Sequence, residues 1–402
     1  MSMKQLYKGP HERAGLIVWA ALIVCMGATV PAAYGQTAHF SYAIKTLGGG
    51  FRQPWGVALD RDGNVYVADT GNIAVKKVPA GCTSSSCVTT LGGGFYYPFG
   101  VAVDGSGNVY VADDSAAVKE IPPGCASSSC VTTVGGSIPF ATAIAVDASG
   151  NVYAGTNSVY KIPPGCTSSS CVTTLGGGFN TPTGIAVDGS GNIYVADSSN
   201  NAVKQIPAGC TSSSCVLTLG GGFNAPSGVA VDGNGNVYVG DSYNNAVKQI
   251  PAGCASSSCV TALDGHFNSP SGIALDGSGN LYVAESGNNS VDAIMPRVVL
   301  PTTPVGQSSA SPAVTFTFGT SGNIAAPVVL TEGATGLDFS DAGTGTCTTN
   351  GAAHTYVAGD TCTVQIAFSP KTAGLRRGAV QLKATSGAVI ATAYAYGTGT
   401  GP

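Results

Sequence analysis

The sequence predicts an all-β chain: a six-bladed β-propeller closed by an N-terminal strand, followed by a smaller β-sandwich. Three observations carry this. An anchor aspartate recurs at Asp60, Asp104, Asp147, Asp188, Asp232 and Asp276, at spacings of 44, 43, 41, 44 and 44 residues. One interval holds four short β-rich runs: Gly184–Asp188, Asn192–Asp197, Ala202–Ile206 and Cys215–Leu219. Asp-Gly, Asn-Asn, Pro-Ala-Gly-Cys and Gly-Gly-Gly turn signals separate such runs, with no helical periodicity inside any repeat. Repeats of this length mark a propeller or a solenoid, and four strands per repeat select the propeller.

The elements follow in chain order. Residues 1–35 read as an export signal. Lys4, Lys8 and Arg13 precede an apolar run from Ala14 to Val30, and Ala33-Tyr34-Gly35 offers a small–x–small cleavage site. Retention as an anchor is the alternative. No other stretch approaches the ~20 apolar residues of a spanning helix, so no membrane span is expected once the signal is removed. The propeller occupies 36–295. Its innermost strands alternate small and branched residues, as in Gly56-Val57-Ala58-Leu59, which suits crowding near an axis. The next strand always carries a tyrosine (Tyr66, Tyr110, Tyr153, Tyr194, Tyr238, Tyr282), read as a wedge between blades. The sixth repeat stops after its third strand, near Val291–Ile294. Tyr42–Leu47, followed by Gly-Gly-Gly-Phe51, matches the missing fourth strand and supplies the closure. Residues 296–312, with Pro-Thr-Thr-Pro, read as a linker. Residues 313–402 hold strand-like runs at Ala313–Phe318, Ala326–Leu330, Cys362–Phe368, Gly378–Lys383 and Ala388–Tyr396, spaced as in a β-sandwich.

Thirteen cysteines become twelve without Cys25. Ten form Cys-x4-Cys units: Cys82 with Cys87, Cys125 with Cys130, Cys166 with Cys171, Cys210 with Cys215, and Cys254 with Cys259. The units lack histidine and the shorter gaps of zinc pairs, and an exported chain favours disulfides. Each would close a small ring across a hairpin, worth about 2 kcal/mol.

The pattern Pro-x-Gly-[Val/Ile]-Ala-[Val/Leu]-Asp, Gly-Asn-[Val/Ile/Leu]-Tyr-Val-Ala-Asp-Ser, Asn-Asn, Val-Lys, clearest at Pro182–Lys204 and Pro226–Lys248, resembles the NHL repeat. The resemblance spans about residues 40–295 and implies a binding module. The third repeat departs from it at Ala143 and Thr156 and lacks the Asn-Asn pair. The run Gly359–Pro370, Gly374 and the closing Gly-Thr-Gly-Thr-Gly resemble bacterial Ig-like repeats of the hydin/abnormal-spindle type. That likeness implies a spacer or adhesion unit, with Cys347 paired to Cys362.

Composition narrows the function. Only 9% of residues are charged, with 17 basic side chains, so a nucleic-acid partner is excluded. A 44% hydrophobic content argues against disorder. Lyase-like relatives of such propellers depend on axial histidines, and here the propeller region holds only His39 and His266. Asp60–Asn64 reads as a tight hairpin turn rather than a calcium loop. Aspartates after the second strand (Asp69, Asp113, Asp197, Asp241, with Glu285 in the sixth repeat) are expected to bond the following turn. Lys76, Lys119, Lys204 and Lys248 are expected as a solvated ring. On the face formed by the connections between repeats, Arg52, Trp55, Tyr96, Tyr97, Phe99 and Phe140 form an aromatic side, the candidate ligand-binding residues. Thr142, Thr183, Ser227 and Ser271 form a small polar side. The expectation is a secreted, cell-surface or periplasmic monomer, non-enzymatic and without cofactor or metal, that binds an extracellular glycan, peptide or protein. The rival is a calcium-dependent gluconolactonase-like hydrolase.

Overall fold

The computed structural model describes residues 38–40 and 43–401. Within that range 116, 264–266, 278, 296, 310–311, 319–320, 332–336, 348–354, 358 and 388 are left out. The export signal and His266 lie outside the described residues. No helix among the described residues is long and apolar enough to cross a membrane.

The repeats fold as six four-stranded antiparallel sheets, the organisation of a β-propeller. Sheet 1 runs from Pro54–Leu59 through Val65–Asp69 and Ala74–Val78 to Thr89–Leu91. Sheets 2 to 5 repeat this order, with innermost strands Pro98–Val103, Ala143–Val146, Pro182–Val187 and Pro226–Val231. Sheet 6 takes Pro270–Leu275, Leu281–Glu285 and Ser290–Met295 from the end of the repeat region. Its outer strand is Ala43–Leu47, antiparallel to Ser290–Met295.

Glycine on the innermost strands sets how closely the sheets approach. A Cβ on Gly56 would sit 2.5 Å from the Phe99 carbonyl oxygen. One on Gly272 would sit 2.5 Å from the Trp55 carbonyl oxygen, bringing the last sheet against the first. Tyr66 is buried together with Val101 and Val109 of the next sheet, the expected wedge. Its hydroxyl donates to Asp60 at 2.9 Å, and Tyr153 and Tyr194 reach Asp147 and Asp188 likewise.

The five Cys-x4-Cys units are disulfides. Cys82 is bonded to Cys87, Cys125 to Cys130, Cys166 to Cys171, Cys210 to Cys215, and Cys254 to Cys259. A sixth bond joins Cys347 and Cys362. The local backbone differs from the sequence reading, which began the outer strand at the second cysteine, as in Cys215–Leu219. Instead Cys87, Cys130, Cys171, Cys215 and Cys259 each end a one-turn 3-10 segment. The outer strand starts two residues later, at Thr89, Thr132, Thr173, Leu217 and Thr261. The ring is the reason. Its Cα atoms lie 5.8 to 6.0 Å apart, whereas five extended residues would span about 17 Å. The two ends also differ in burial. Cys82, Cys125, Cys166, Cys210 and Cys254 are buried, Cys87, Cys130, Cys215 and Cys259 are half-buried, and Cys171 is exposed. All ten are therefore staples of the sheets, and none lines the central cavity described below.

Sorting the loops by strand direction puts these hairpins opposite the Gly-Gly-Gly connections; the structure brings them together. Gly48 N–H donates to the Cys82 carbonyl, and Gly92, Gly135 and Gly220 repeat the bond to Cys125, Cys166 and Cys254. Each hairpin thus packs on the connection that leads into its own sheet.

The C-terminal residues form two further sheets around a shared core, with Phe316, Phe318, Phe339 and Phe368 fully buried. One sheet orders Ala313–Phe318, Thr361–Phe368 and Phe339–Asp341. The other contains Val328–Thr331, Gly374–Lys383 and Val389–Thr400. Two segments differ from the sequence reading. Ala38–Phe40, assigned there to the propeller, pairs with Ala313–Phe318. The expected linker contributes Arg297–Val299 and Thr303–Pro304, both parallel to Val389–Thr400. Leu300 and Thr303, between and within those strands, are buried.

Candidate functional site

The connections entering the innermost strands of sheets 1, 2, 4, 5 and 6 are held from beneath by buried carboxylates. Asp69, Asp113, Asp197 and Asp241 are 0% exposed. Asp69 accepts the backbone N–H of Arg52 at 2.7 Å. Asp113 accepts those of Tyr96 and Tyr97, each at 2.9 Å. Asp197 and Asp241 accept those of Asn180 and Asn224. Bonds to the following turn are present as expected, from Asn72, Ser115, Asn200 and Asn244.

The lysines are not the solvated ring that the sequence suggested. Lys76, Lys119, Lys204 and Lys248 are mostly buried and paired with those aspartates at 2.5 to 2.7 Å. The antiparallel register explains it: Lys76 stands opposite Val67, two residues before Asp69, so its stem folds back along the sheet to the carboxylate. Each ammonium also lies over a phenylalanine ring, as Lys204 does over Phe179 at 5.4 Å. In sheet 6 the acid is Glu285. Burial and the neighbouring Asp292 carboxyl push it up to about 7.

On this frame the six candidate residues separate into two groups. Tyr96, Tyr97 and Phe140 are 60%, 42% and 69% exposed, and Arg52 is exposed too. Tyr96 and Tyr97 meet edge to face at 4.8 Å. Trp55 and Phe99 instead turn toward the centre, half-buried and edge to face at 5.5 Å. They line a cavity of about 50 Å³ at which the innermost strands of all six sheets meet. The other lining side chains are glycine, alanine, valine, isoleucine, threonine and serine. The Trp55 indole N–H has no hydrogen-bond partner.

The small polar side does different work. Thr142 donates to the Pro182 carbonyl of the next sheet at 2.8 Å, and Thr183 reaches that of Pro226 at 3.1 Å. Ser271 reaches the Pro54 carbonyl at 3.1 Å, joining sheet 6 to sheet 1. Where tryptophan replaces the hydroxyl, Thr70 takes over and donates to Pro98 at 2.6 Å. Ser242 does so for Pro270, which leaves the buried Ser227 hydroxyl without a partner. These hydroxyls are seam residues.

Sequence reading missed Ile73. Asn201 and Asn245 stand in left-handed backbone and accept the N–H of Ala225 and Ser269, 24 residues on in the next repeat. Ile73 holds the same place in sheet 1 with φ 54°, a conformation a β-branched residue rarely adopts. It is 50% exposed, and the residue 24 positions on is Tyr97. The available signal was an isoleucine where repeats 4 to 6 carry asparagine (Asn201, Asn245 and Asn289).

The NHL repeat matches residues 51–77, 179–206, 223–250 and 267–291 of this chain. Among curated proteins none matches it in sequence. Solved structures with similar folds include a PQQ-bound aldose sugar dehydrogenase from Streptomyces coelicolor. It is 14% identical, with a TM-score of 0.45 over 63% of this chain and 98% of that one. A virginiamycin B lyase from Staphylococcus aureus with quinupristin is 12% identical, with a TM-score of 0.45 over 69% and 96%. A proposed gluconolactonase is 15% identical, with a TM-score of 0.48 over 63% and 91%.

Proposed function

We propose that this NHL-repeat chain is an exported, non-enzymatic binding protein. Its six sheets close into a propeller, and its C-terminal sheets form an Ig-like unit that spaces or attaches it. The ligand-binding surface is the rim of sheets 1 to 3: Ile73, Tyr96, Tyr97 and Phe140 with Arg52, flanked by Trp55 and Phe99. One observation carries this reading. Tyr96 and Tyr97 are displayed to solvent on a connection whose backbone is fixed by the buried Asp113, and Arg52 on one fixed by the buried Asp69. Exposed aromatic clusters with an arginine are typical of binding hot spots, and a fixed backbone lowers the ordering cost of binding. The small central cavity supports the same conclusion, because small-molecule pockets usually measure about 300–1,000 Å³. A broad, shallow aromatic rim suits an extended peptide or a protein surface best, with a glycan as the remaining partner class. Multiple disulfides support a location outside the cytoplasm.

The test is a screen of immobilised peptides, secreted proteins and glycans, repeated with Tyr96→Ala/Tyr97→Ala. Binding that disappears in the folded double variant supports the reading. Binding that persists unchanged, or lactone turnover by the wild type, overturns it.

A further inference from the structure

In four sheets lysine neutralises the buried carboxylate. Lys76, Lys119, Lys204 and Lys248 each meet an aspartate and also donate to the carbonyl of Gly50, Gly94, Gly178 or Gly222. Sheet 3 has neither charge: Thr156 stands at the aspartate position and Tyr160, opposite Ala154, at the lysine position. Sheet 6 departs from both arrangements. Glu285 takes the aspartate position. Asp292 faces Val283 as Lys248 faces Val239, so a second acid occupies the lysine position. Glu285 is 2% exposed and Asp292 6%.

The groups around this pair leave the two acids to each other. On their own sheet the same face carries Val283 and Ser290, with Thr46 of Ala43–Leu47 opposite Asp292. Ala230 and Val247 of sheet 5 pack against that face, together with Leu263 and Phe267. The titratable group packed there among the described residues is Tyr238, whose hydroxyl accepts from Gln249. Lys45 stands opposite Ala293, so it points to the other face of the sheet. Asp264 and His266 lie outside the described residues. Hydrogen bonds show how the pair is accommodated. Glu285 Oε2 accepts from Asn268 N–H at 3.0 Å and Asn288 Nδ2 at 2.6 Å, which leaves Oε1 for a proton. Asp292 Oδ2 accepts from the Ser290 hydroxyl at 3.3 Å, whereas Oδ1 is buried with no described donor. The two carboxyls are hydrogen-bonded to each other, which requires a proton. A proton on Glu285 cancels one of two enclosed like charges and gives Asp292 the donor it lacks.

We propose that Glu285 and Asp292 form a proton-dependent clasp on sheet 6: one proton held between them secures the outer strand Ala43–Leu47, and its loss to solvent loosens that strand. The clasp sits where it matters most, because Asp292 pairs in register with Thr46 and sheet 6 is assembled from both ends of the repeat region. When the proton leaves, two carboxylates face each other in a buried site, where the sister sheets keep a salt bridge. The direction of the response follows. Burial first, and then the Asp292 carboxyl, raise Glu285 from 4.5 to about 7. The stability its proton supplies is fully present below 4.5 and is lost as pH rises through about 7. Neither acid lines the central cavity, and the clasp does not depend on the binding function proposed above.

The experiment is amide hydrogen exchange of the full chain at pH 5 and pH 8, corrected for the intrinsic effect of pH, for the wild type, Asp292→Lys, Asp292→Asn and His266→Gln. In the wild type, protection of Ala43–Leu47 should fall at least about tenfold between the two, the effect of one pKa unit of linkage. The matching outer strands Thr89–Leu91 and Leu217–Leu219, whose sheets carry lysine, should keep theirs. Asp292→Lys rebuilds the sister pair and should protect Ala43–Leu47 equally at both pH values. If that variant does not fold, Asp292→Asn, which removes the second acid and keeps the shape, should do the same. His266→Gln should respond as the wild type does. Equal wild-type protection at the two pH values overturns the proposal, as does a full response in the folded Asp292 variants. Loss of the response in His266→Gln overturns it too, because the proton would then belong to the histidine.

Discussion

The rim has two sectors that occupy equivalent positions and use them differently. In sheets 3, 4 and 6 the residue before the innermost glycine or its alanine replacement is Thr142, Thr183 or Ser271, and its hydroxyl bonds the next sheet. In sheets 1 and 2 that residue is Trp55 or Phe99, and the neighbouring connections display Arg52, Tyr96 and Tyr97. Thr70 takes over the seam bond in sheet 1, so the aromatic sector keeps its scaffold while releasing its surface. Side chains committed to internal partners and side chains left to solvent are thus told apart position by position, and the proposed binding surface draws on the second set.

That contrast yields an ordered set of tests. The largest effect should come from the frame beneath both sectors. Asp197→Ala leaves the Lys204 ammonium buried without its carboxylate and should lose about 3–5 kcal/mol by urea denaturation. A smaller loss, about 1 kcal/mol, is expected for Thr183→Val, which removes one seam hydroxyl. An equal loss on truncating Tyr96 would erase the distinction between sectors. Acid should act on the turns that both sectors share. Burial alone would raise Asp60, Asp147 and Asp188, but hydrogen bonds from Asn64, Asn151 and Asn192 outweigh it and hold the three carboxyls below their ordinary value of 3.8. Their stabilising share is present above the unfolded value and is lost as pH falls through the folded value. The melting temperature should therefore drop below about pH 4, and Asp188→Asn should flatten that drop. The smallest change in stability, within about 0.5 kcal/mol, is expected for Tyr96→Ala and Phe140→Ala.

Much of this architecture is legible in the sequence because each repeat states it again. The spacing of the anchor aspartates, the Cys-x4-Cys hairpins and the strand-like runs all reappear in the sheets. Arg52, Tyr96, Tyr97 and Phe140 are also exposed together on one run of connections. What the sequence hid depends on neighbours distant along the chain. The lysine pairs follow from cross-strand register, although acid and lysine seven residues apart, as in Asp69 with Lys76 and Asp197 with Lys204, were a usable signal. The seam bonds join separate sheets, so in sequence Thr142 and Ser271 read only as part of a small polar side. Ala38–Phe40 pairs with Ala313–Phe318, a partner more than two hundred residues away that local pattern cannot supply. Ile73 stood out only once the left-handed position it shares with Asn201 and Asn245 was visible.

The most direct test of the rim as a binding surface is ligand affinity measured side by side for Tyr96→Ala/Tyr97→Ala and Thr183→Val. The tyrosine variant should lose at least tenfold in affinity at near wild-type stability, and the threonine variant should keep its affinity at reduced stability. The reverse pattern would contradict the aromatic rim as the binding surface, because the aromatic residues would then be packing elements and the hydroxyl sector the site.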